Sequence, residues 1–408
     1  MGIASYVATN VYLQALDYTS ARIELATYAS LEDAFKGNAR AEYLRNRASF
    51  EHRLAEYGKM HATCKACEEE FGTTRPDVVA DVLVTRCNHH RLREDWPAMI
   101  ADAERIIEIA TQIGIPRKAA YGQYQRAVAT RRIGDLDGAE ADYRAVLDAF
   151  DEEDATHWAA LDGLATIDIE RGNFASALER ATAAAEYERR TDNIGYLLDT
   201  LQSVVRANVG LGRAADARAA LDEALVELDR RDTLELGPKP AAELRAQYAE
   251  WARVEDELAA FEIASARTDP DRRRAAERGL ASAVAWAGRS LAATLGRDPR
   301  GSAQRVDVAA LLTAELEPRT ALIQYAEYPG GLSAYVVTRD GVQRVDLGTR
   351  DGIDAAIEAF LSKAIRPEAG AARRTNARRS VGPRARGGRT LLAPLRSALP
   401  DEFDTCST

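Results

Sequence analysis

Apolar residues along this chain recur first at helical and later at strand spacing. Over residues 1–235 they mark a repeated pair of helices. The clearest unit has Trp158, Leu161, Leu164 and Ala165, three or four apart, which share one helical face. Arg171, Gly172, Asn173 and Phe174 interrupt that face, and Ala177, Ala181 and Ala184 resume it. Aligning other segments on the interruption gives turn anchors at Leu16, Ala55, Glu94, Gly134, Gly172 and Gly212, separated by 39, 39, 40, 38 and 40 residues. Such regular spacing predicts six helix–turn–helix units.

The columns around the anchors make chemical sense. Two residues past each stand Tyr18, Tyr57, Trp96, Leu136, Phe174 and Ala214, mostly large plugs beneath the turn. Five past stand Ala21, Met60, Met99, Ala139, Ala177 and Ala217, slim enough for two helices to approach. Nine and twelve past come Leu25/Tyr28, Cys64/Cys67, Ala103/Ile106, Tyr143/Val146, Ala181/Ala184 and Leu221/Ala224. Seven before come Thr9, Ala48, Cys87, Ala127, Ala165 and Val205.

This pattern resembles the tetratricopeptide repeat family, best at 158–189 and less regularly in the first three units. The period near 39 exceeds the usual 34, which implies longer second helices or longer loops. The resemblance implies an α-solenoid whose first helices line a concave groove for a peptide or protein surface. It would place Asp81, Asn88, Arg91, Tyr121, Tyr124, Arg131, Arg132, Asp162 and Thr166 in that groove. The competing account is that these are solvated helix faces.

The period lapses after about residue 235, where Gly237, Pro238 and Pro240 punctuate the chain. Two long helices are predicted at 241–266 and 272–295, split by Thr268, Asp269 and Pro270. Alternation then predicts strands at 320–327, 332–338 and 342–347, with Asp340-Gly341 suited to a tight hairpin. An amphipathic helix is expected at 353–365, with Ile353, Ile357, Phe360 and Leu361 on one face.

The run TALIQYAEYPGGLSAYVVTRDGVQRVDLG, followed by a helix and LLAPLRSALP, resembles the opening of a CHAT domain, a caspase-like module found behind tetratricopeptide repeats. The domain organisation expected is therefore helical repeats at 1–235, a long-helix connector at 239–296, and the first part of a CHAT domain at 303–408. The class is mostly α with a small α/β end. In that family an imidazole activates a cysteine thiol, and both groups lie beyond the matched segment. The five histidines here, His52, His61, His89, His90 and His157, all fall in the repeats, and Cys406 lies near the chain end. No catalytic residue carries over, and no cofactor is implied. A half domain would leave apolar strand faces open, so a partner chain that completes it is one expectation.

Composition adjusts this picture modestly. A net charge of −10 argues against nucleic acid as the main partner. One basic stretch is the exception: Arg373, Arg374, Arg378, Arg379, Arg384, Arg386 and Arg389 are opposed only by Glu368, and read as a disordered loop or a nucleic-acid contact. Four cysteines, with neither a signal peptide nor a membrane span evident, suit a cytoplasmic protein. Cys64 and Cys67, with His61 nearby, resemble a redox or metal pair, but their columns elsewhere hold Leu, Ala, Tyr and Val, so they read as core. Adjacent His89 and His90 point about 100° apart on a helix and read as solvated or capping groups. The function expected is a non-enzymatic, protein-binding scaffold or sensor. The alternative is a fragment or frameshifted form of a caspase-like cysteine peptidase regulated by its repeats.

Overall fold

The computed structural model describes Thr9 and residues 18–235, 241–294, 322–328, 331–338 and 341–348. The Leu16 anchor, the helix expected at 353–365, the arginine stretch and Cys406 lie outside the described residues. The chain divides into two compact units, Met1–Glu243 and Leu244–Thr408.

The first unit is a stack of antiparallel helix pairs. Its helices are α1 (Tyr18–Ser30), α2 (Gly37–Arg53), α3 (Tyr57–Phe71), α4 (Pro76–Leu92), α5 (Trp96–Gln112) and α6 (Pro116–Arg132). They continue with α7 (Leu136–Ala149), α8 (Ala155–Glu170), α9 (Phe174–Thr191), α10 (Ile194–Gly210) and α11 (Ala214–Glu235). A 3-10 turn at Glu32–Ala34 precedes α2. The class is mostly α, a tetratricopeptide-type solenoid followed by long helices and a small sheet. The long period comes from the helices themselves: α2 to α10 run 14 to 18 residues, and the linkers between them are short.

One backbone device closes every described intra-unit turn. Ala55, Glu94, Gly134, Gly172 and Gly212 all have positive φ, from 54° to 91°. These are five of the six anchors read from spacing. At Gly134 the amide donates to the Arg131 carbonyl (3.0 Å) and the next amide, of Asp135, to the Thr130 carbonyl (3.0 Å). That is a Schellman closure, which satisfies carbonyls that the helix end leaves open. The same pair of bonds recurs at Ala55/Glu56, Glu94/Asp95, Gly172/Asn173 and Gly212/Arg213. The residue two past each anchor then opens the second helix, from Tyr18 through Ala214.

Packing follows the columns. Ala21, Met60, Met99, Ala139, Ala177 and Ala217 are all 0% exposed, and the columns nine, twelve and minus seven from the anchors are buried throughout. Close approach needs glycine at Gly163: a Cβ there would lie 2.3 Å from the Tyr143 ring. Units three and four are also pinned by forked pairs sixteen residues apart. Arg86 grips Asp102 through Nε and Nη2 (both 2.6 Å), and Arg126 grips Asp142 likewise (both 2.8 Å). Cys64, Cys67 and Cys87 sit in this core, fully buried, and burial pushes the Cys64 and Cys67 thiols up to about 12.

In the second unit, α12 (Ala241–Ser265) and α13 (Asp269–Thr294) accompany a meander of β1 (Leu322–Tyr328), β2 (Gly331–Thr338) and β3 (Gly341–Gly348), antiparallel in the order β1-β2-β3. Ala276 and Leu280 of α13 pack on Tyr335, Val337 and Val342. Asp256 of α12 accepts from Ser333 Oγ (3.1 Å), Tyr335 Oη (2.7 Å) and Arg344 Nε (2.9 Å), which ties helix to sheet. The open strand face expected of a half domain is not found at the central strand. Ala334 and Val336, which point away from α13, are 0% and 1% exposed, beside Ile323, Val345 and Leu347. Among the described residues no helix is long and apolar enough to cross a membrane.

The turns generate a paired prediction. Glu94 bears a Cβ in a left-handed conformation that glycine adopts freely. Glu94→Gly should raise stability by about 0.5–1 kcal/mol, while Gly163→Ala, normally favourable in a helix, should lower it by about 1–3 kcal/mol through collision with Tyr143. Urea unfolding of the two variants checks both signs.

Candidate functional site

The inner row of the stack is identifiable from packing alone. Consecutive first helices, α2, α4, α6, α8 and α10, touch one another, whereas consecutive second helices scarcely meet. The array therefore curves towards its first helices, and their outward faces line the concave side. On each first helix those faces fall 13, 10, 6 and 3 residues before the anchor, which is one helical stripe.

The sequence-predicted residues divide sharply on this surface. Arg91 near the end of α4 is exposed, and no carboxylate lies within ion-pair distance of it among the described residues. Enclosure by the groove walls acts first on its guanidinium and disfavours the charge, while Tyr124, Asp199, Tyr196 and Tyr121, from α6 and α10, together hold it above its ordinary value. Tyr121 is half-buried beside Tyr124, with ring centroids 6.1 Å apart. Tyr124 itself is 8% exposed and packs edge-on against Tyr143 at 6.0 Å, so it contributes more to the core than to the surface. Asp81 is taken up by Lys118 (2.7 Å) and Arg45 (3.6 Å), a brace across first helices. Asn88 is half-buried, one turn before Arg91. Arg131 is committed to Glu170 (2.6 Å), and Arg132 lies over the Trp96 ring at 5.6 Å by the turn. Thr166 donates to the Asp162 carbonyl (3.1 Å) and stands 3.5 Å from Ser203 Oγ.

Asp162 anchors a second, acidic patch. Burial pushes its carboxyl up to about 6; a hydrogen bond from Ser203 opposes the rise, Asp199 adds to it, and Arg131 and Arg206 oppose it. Its Oδ1 is enclosed and accepts no hydrogen bond. Glu188 of α9 is 1% exposed, its Oε2 likewise lacks a donor, and burial followed by the charges of Asp162 and Asp199 pushes it up to about 7.

Sequence reasoning missed Tyr196, Asp199, Ser203, Arg206 and Glu188. The signals were present. Asp199 occupies the column of Asp81 and Tyr121, thirteen before the anchor, and Arg206 that of Asn88 and Thr166, six before. Glu188 stands sixteen past Gly172, in a column that holds Phe71, Ala110, Phe150 and Leu228, all buried, and Glu32 in the first unit. A buried carboxylate there departs from the apolar residue that four of the other five units carry.

The paired histidines also differ from expectation. Neither is simply solvated: His89 Nδ1 lies 2.9 Å from His61 Nε2, Tyr57 packs on His89 at 4.4 Å, and His90 Nε2 lies 3.3 Å from Asp102. A shared hydrogen bond between two imidazoles admits one proton, not two. Burial, then His61 and its neighbours, pull His89 down to about 4. His61 thus faces His89 and not the cysteines, and no group of three or more His, Cys, Asp or Glu among the described residues could hold a metal ion.

No protein-family model matches the chain, and no curated protein sequence does either. Among solved structures it is similar to a tetratricopeptide repeat protein from Parabacteroides merdae ATCC 43184, at 13% identity and TM-score 0.41, over 68% of this chain and 99% of that one. It is also similar to BtubC from P. vanneervenii, at 13% identity and TM-score 0.40, over 56% and 92%. A third is a Rap protein complexed with Competence and Sporulation Factor, at 11% identity and TM-score 0.48, over 71% and 78%. The turns and columns of the chain itself carry the fold assignment.

The acidic patch should cost stability. A carboxyl whose folded pKa exceeds its unfolded value destabilises the fold above that unfolded value, fully so once pH passes the folded pKa. For Asp162 the window runs from 3.8 to about 6, and for Glu188 from 4.5 to about 7. Asp162→Asn and Glu188→Gln should each raise the stability at pH 8 by roughly 1–2 kcal/mol, and the gain should shrink towards pH 5. Urea titrations at the two pH values measure it; a gain that grows on acidification would contradict the assignment.

Proposed function

We propose that the chain is a non-enzymatic scaffold whose helical repeats bind an extended protein segment on their concave face. The observation that carries this reading is Arg91. It is a guanidinium without an ion pair among the described residues, on the inner row; its side chain reaches solvent, but the groove walls desolvate the charge, and tyrosines from two other first helices face it. Elsewhere on the inner row, charges such as Asp81 and Arg131 are used to brace one unit against the next. A cation left over from such bracing, beside Tyr121 and Tyr196, is suited to an acceptor and an apolar surface on a ligand. The groove residues of this reading are Arg91, Tyr121, Asp162 and Thr166, joined by Tyr196, Asp199 and Ser203.

The resemblance of residues 320–348 to a CHAT opening carries the alternative: a form of a caspase-like cysteine peptidase, regulated by its repeats. The three hairpin-linked strands in the expected order favour it. The partner chain expected to complete that half domain loses part of its motive, because the central strand is buried on both faces.

Charge reversal at Arg131 would test folding more than binding, since Glu170 and Tyr143 depend on it. Arg91→Glu and Tyr196→Ala are the informative variants. Heptapeptides selected by display against the full chain should bind Arg91→Glu at least tenfold more weakly, with an unchanged melting temperature. Unaltered binding by both variants would refute the groove.

A further inference from the structure

Four of the five histidines gather where unit two meets unit three. His52 lies in the last turn of α2, His61 on α3, and His89 and His90 in the last turn of α4. Their rings follow one another. His52 stands 5.7 Å from the Tyr57 ring, Tyr57 4.4 Å from His89, His89 4.7 Å from His61, and His61 5.9 Å from His90. The link across the seam is the 2.9 Å hydrogen bond between His61 Nε2 on α3 and His89 Nδ1 on α4. One ring donates and the other accepts, so one of the two facing nitrogens has to be unprotonated. The seam itself is thin: α3 and α4 touch far less than α5 and α6 or α9 and α10, the equivalent pairs of later units.

Little offsets a positive charge here. His52 Nε2 is enclosed and has no hydrogen-bond partner among the described residues. Burial first, then Arg91, pull His52 down to about 4. Burial first, then His61, His52, His90 and Arg93, do the same to His89. Burial, His90 and Arg86 lower His61, and only Asp102 of α5 opposes them. Asp102 is itself gripped by Arg86 and lies 3.3 Å from His90. Glu51 of α2 and Glu68 of α3 are held by Arg47 and Arg86. The carbonyl ends of α2 and α4 favour a cation, but more weakly than burial disfavours it.

We propose that the His61–His89 contact is a proton-operated latch between units two and three, closed while one facing nitrogen is unprotonated and opened by mild acid. The latch stands whether or not the groove binds a peptide. Once both rings are imidazolium, two N–H groups face each other with no acceptor between them. Arg86, Arg91 and Arg93 then add repulsion in a partly dry setting. Parting α3 from α4 at the 72–75 linker lets water reach the rings. The sign is definite. The rings bind protons more readily open than closed, so opening grows as pH falls from the ordinary 6.5 towards about 4. One ring released from about 4 to 6.5 makes opening about twentyfold more favourable at pH 5 than at pH 7.

Two buried cysteines report on the latch. Cys64 Sγ lies on the seam, 3.6 Å from the Val82 carbonyl of α4, whereas Cys87 Sγ lies 3.7 Å from the Met99 carbonyl of α5, inside unit three. Both are 0% exposed. The full chain is labelled with 4,4′-dithiodipyridine, which takes thiols in mild acid, and EDTA is added to exclude a metal between the rings. Peptic digestion and mass spectrometry give the rate at each cysteine. The ratio of Cys64 to Cys87 labelling cancels the pH dependence of thiol chemistry. It should rise at least tenfold from pH 7 to pH 5. His61→Gln and His89→Gln, whose amide can hydrogen-bond but takes no proton, should each cut that rise at least fivefold. His157→Gln, in unit five, should leave it intact. A flat ratio overturns the latch, including one in which both cysteines open together as in global acid unfolding. A rise that neither glutamine variant lowers overturns it as well. Should a variant unfold, seen as equal labelling of both cysteines at pH 7, the ratio of the unaltered chain decides.

Discussion

The repeat array depends on a chain reversal that only a left-handed residue permits. At each described intra-unit turn one residue adopts positive φ, and its amide and the next return to the preceding helix. That closure fixes the angle at which the second helix leaves. It also brings the slim residue five positions later against the first helix, where it is fully buried. Everything downstream inherits this geometry. The helix pairs stack, the first helices crowd together, and the stack curves towards them. Where glycine is absent, at Ala55 and Glu94, the turn is kept nonetheless, so the reversal outranks local strain.

Curvature gives the inner row its double role. Charges there either brace neighbouring units or face the groove. Lys118–Asp81 and Arg131–Glu170 brace, while Arg91 has no ion pair among the described residues. A solenoid optimised only for stability would place an apolar residue at position 188, as four of its five other units do. The acid at that position and the raised carboxyl of Asp162 are costs to the fold that burial imposes.

Much of the fold was legible because helix pairing is a local problem. Turn anchors, plug residues and small columns repeat with the chain and appear as spacing. The strands at 322–348 were legible through alternation and the Asp340-Gly341 turn. The site was less so. Asp81 and Arg131 lie on the expected row, but their partners Lys118 and Glu170 sit 37 and 39 residues away in the next unit, and only the superhelical stacking brings them together. The histidine pair failed for the same reason. His61 and His89 belong to successive units, so their contact is invisible to a single helical wheel. Glu188 is a partial exception: its column is apolar in four of the other five units, and Glu32 in the first blurs the signal.

The central claim is that ligands dock on the inner row. Its most direct measurement is photo-crosslinking with benzoylphenylalanine placed at Tyr196 on the inner row or at Arg144, a 66%-exposed position on the second helix α7. With the display-selected heptapeptides, fluorescein-labelled, added to each full-length protein, label should transfer at position 196, be competed by unlabelled peptide, and be absent at 144. Equal transfer at both positions, or transfer at 144 alone, would contradict docking on the inner row.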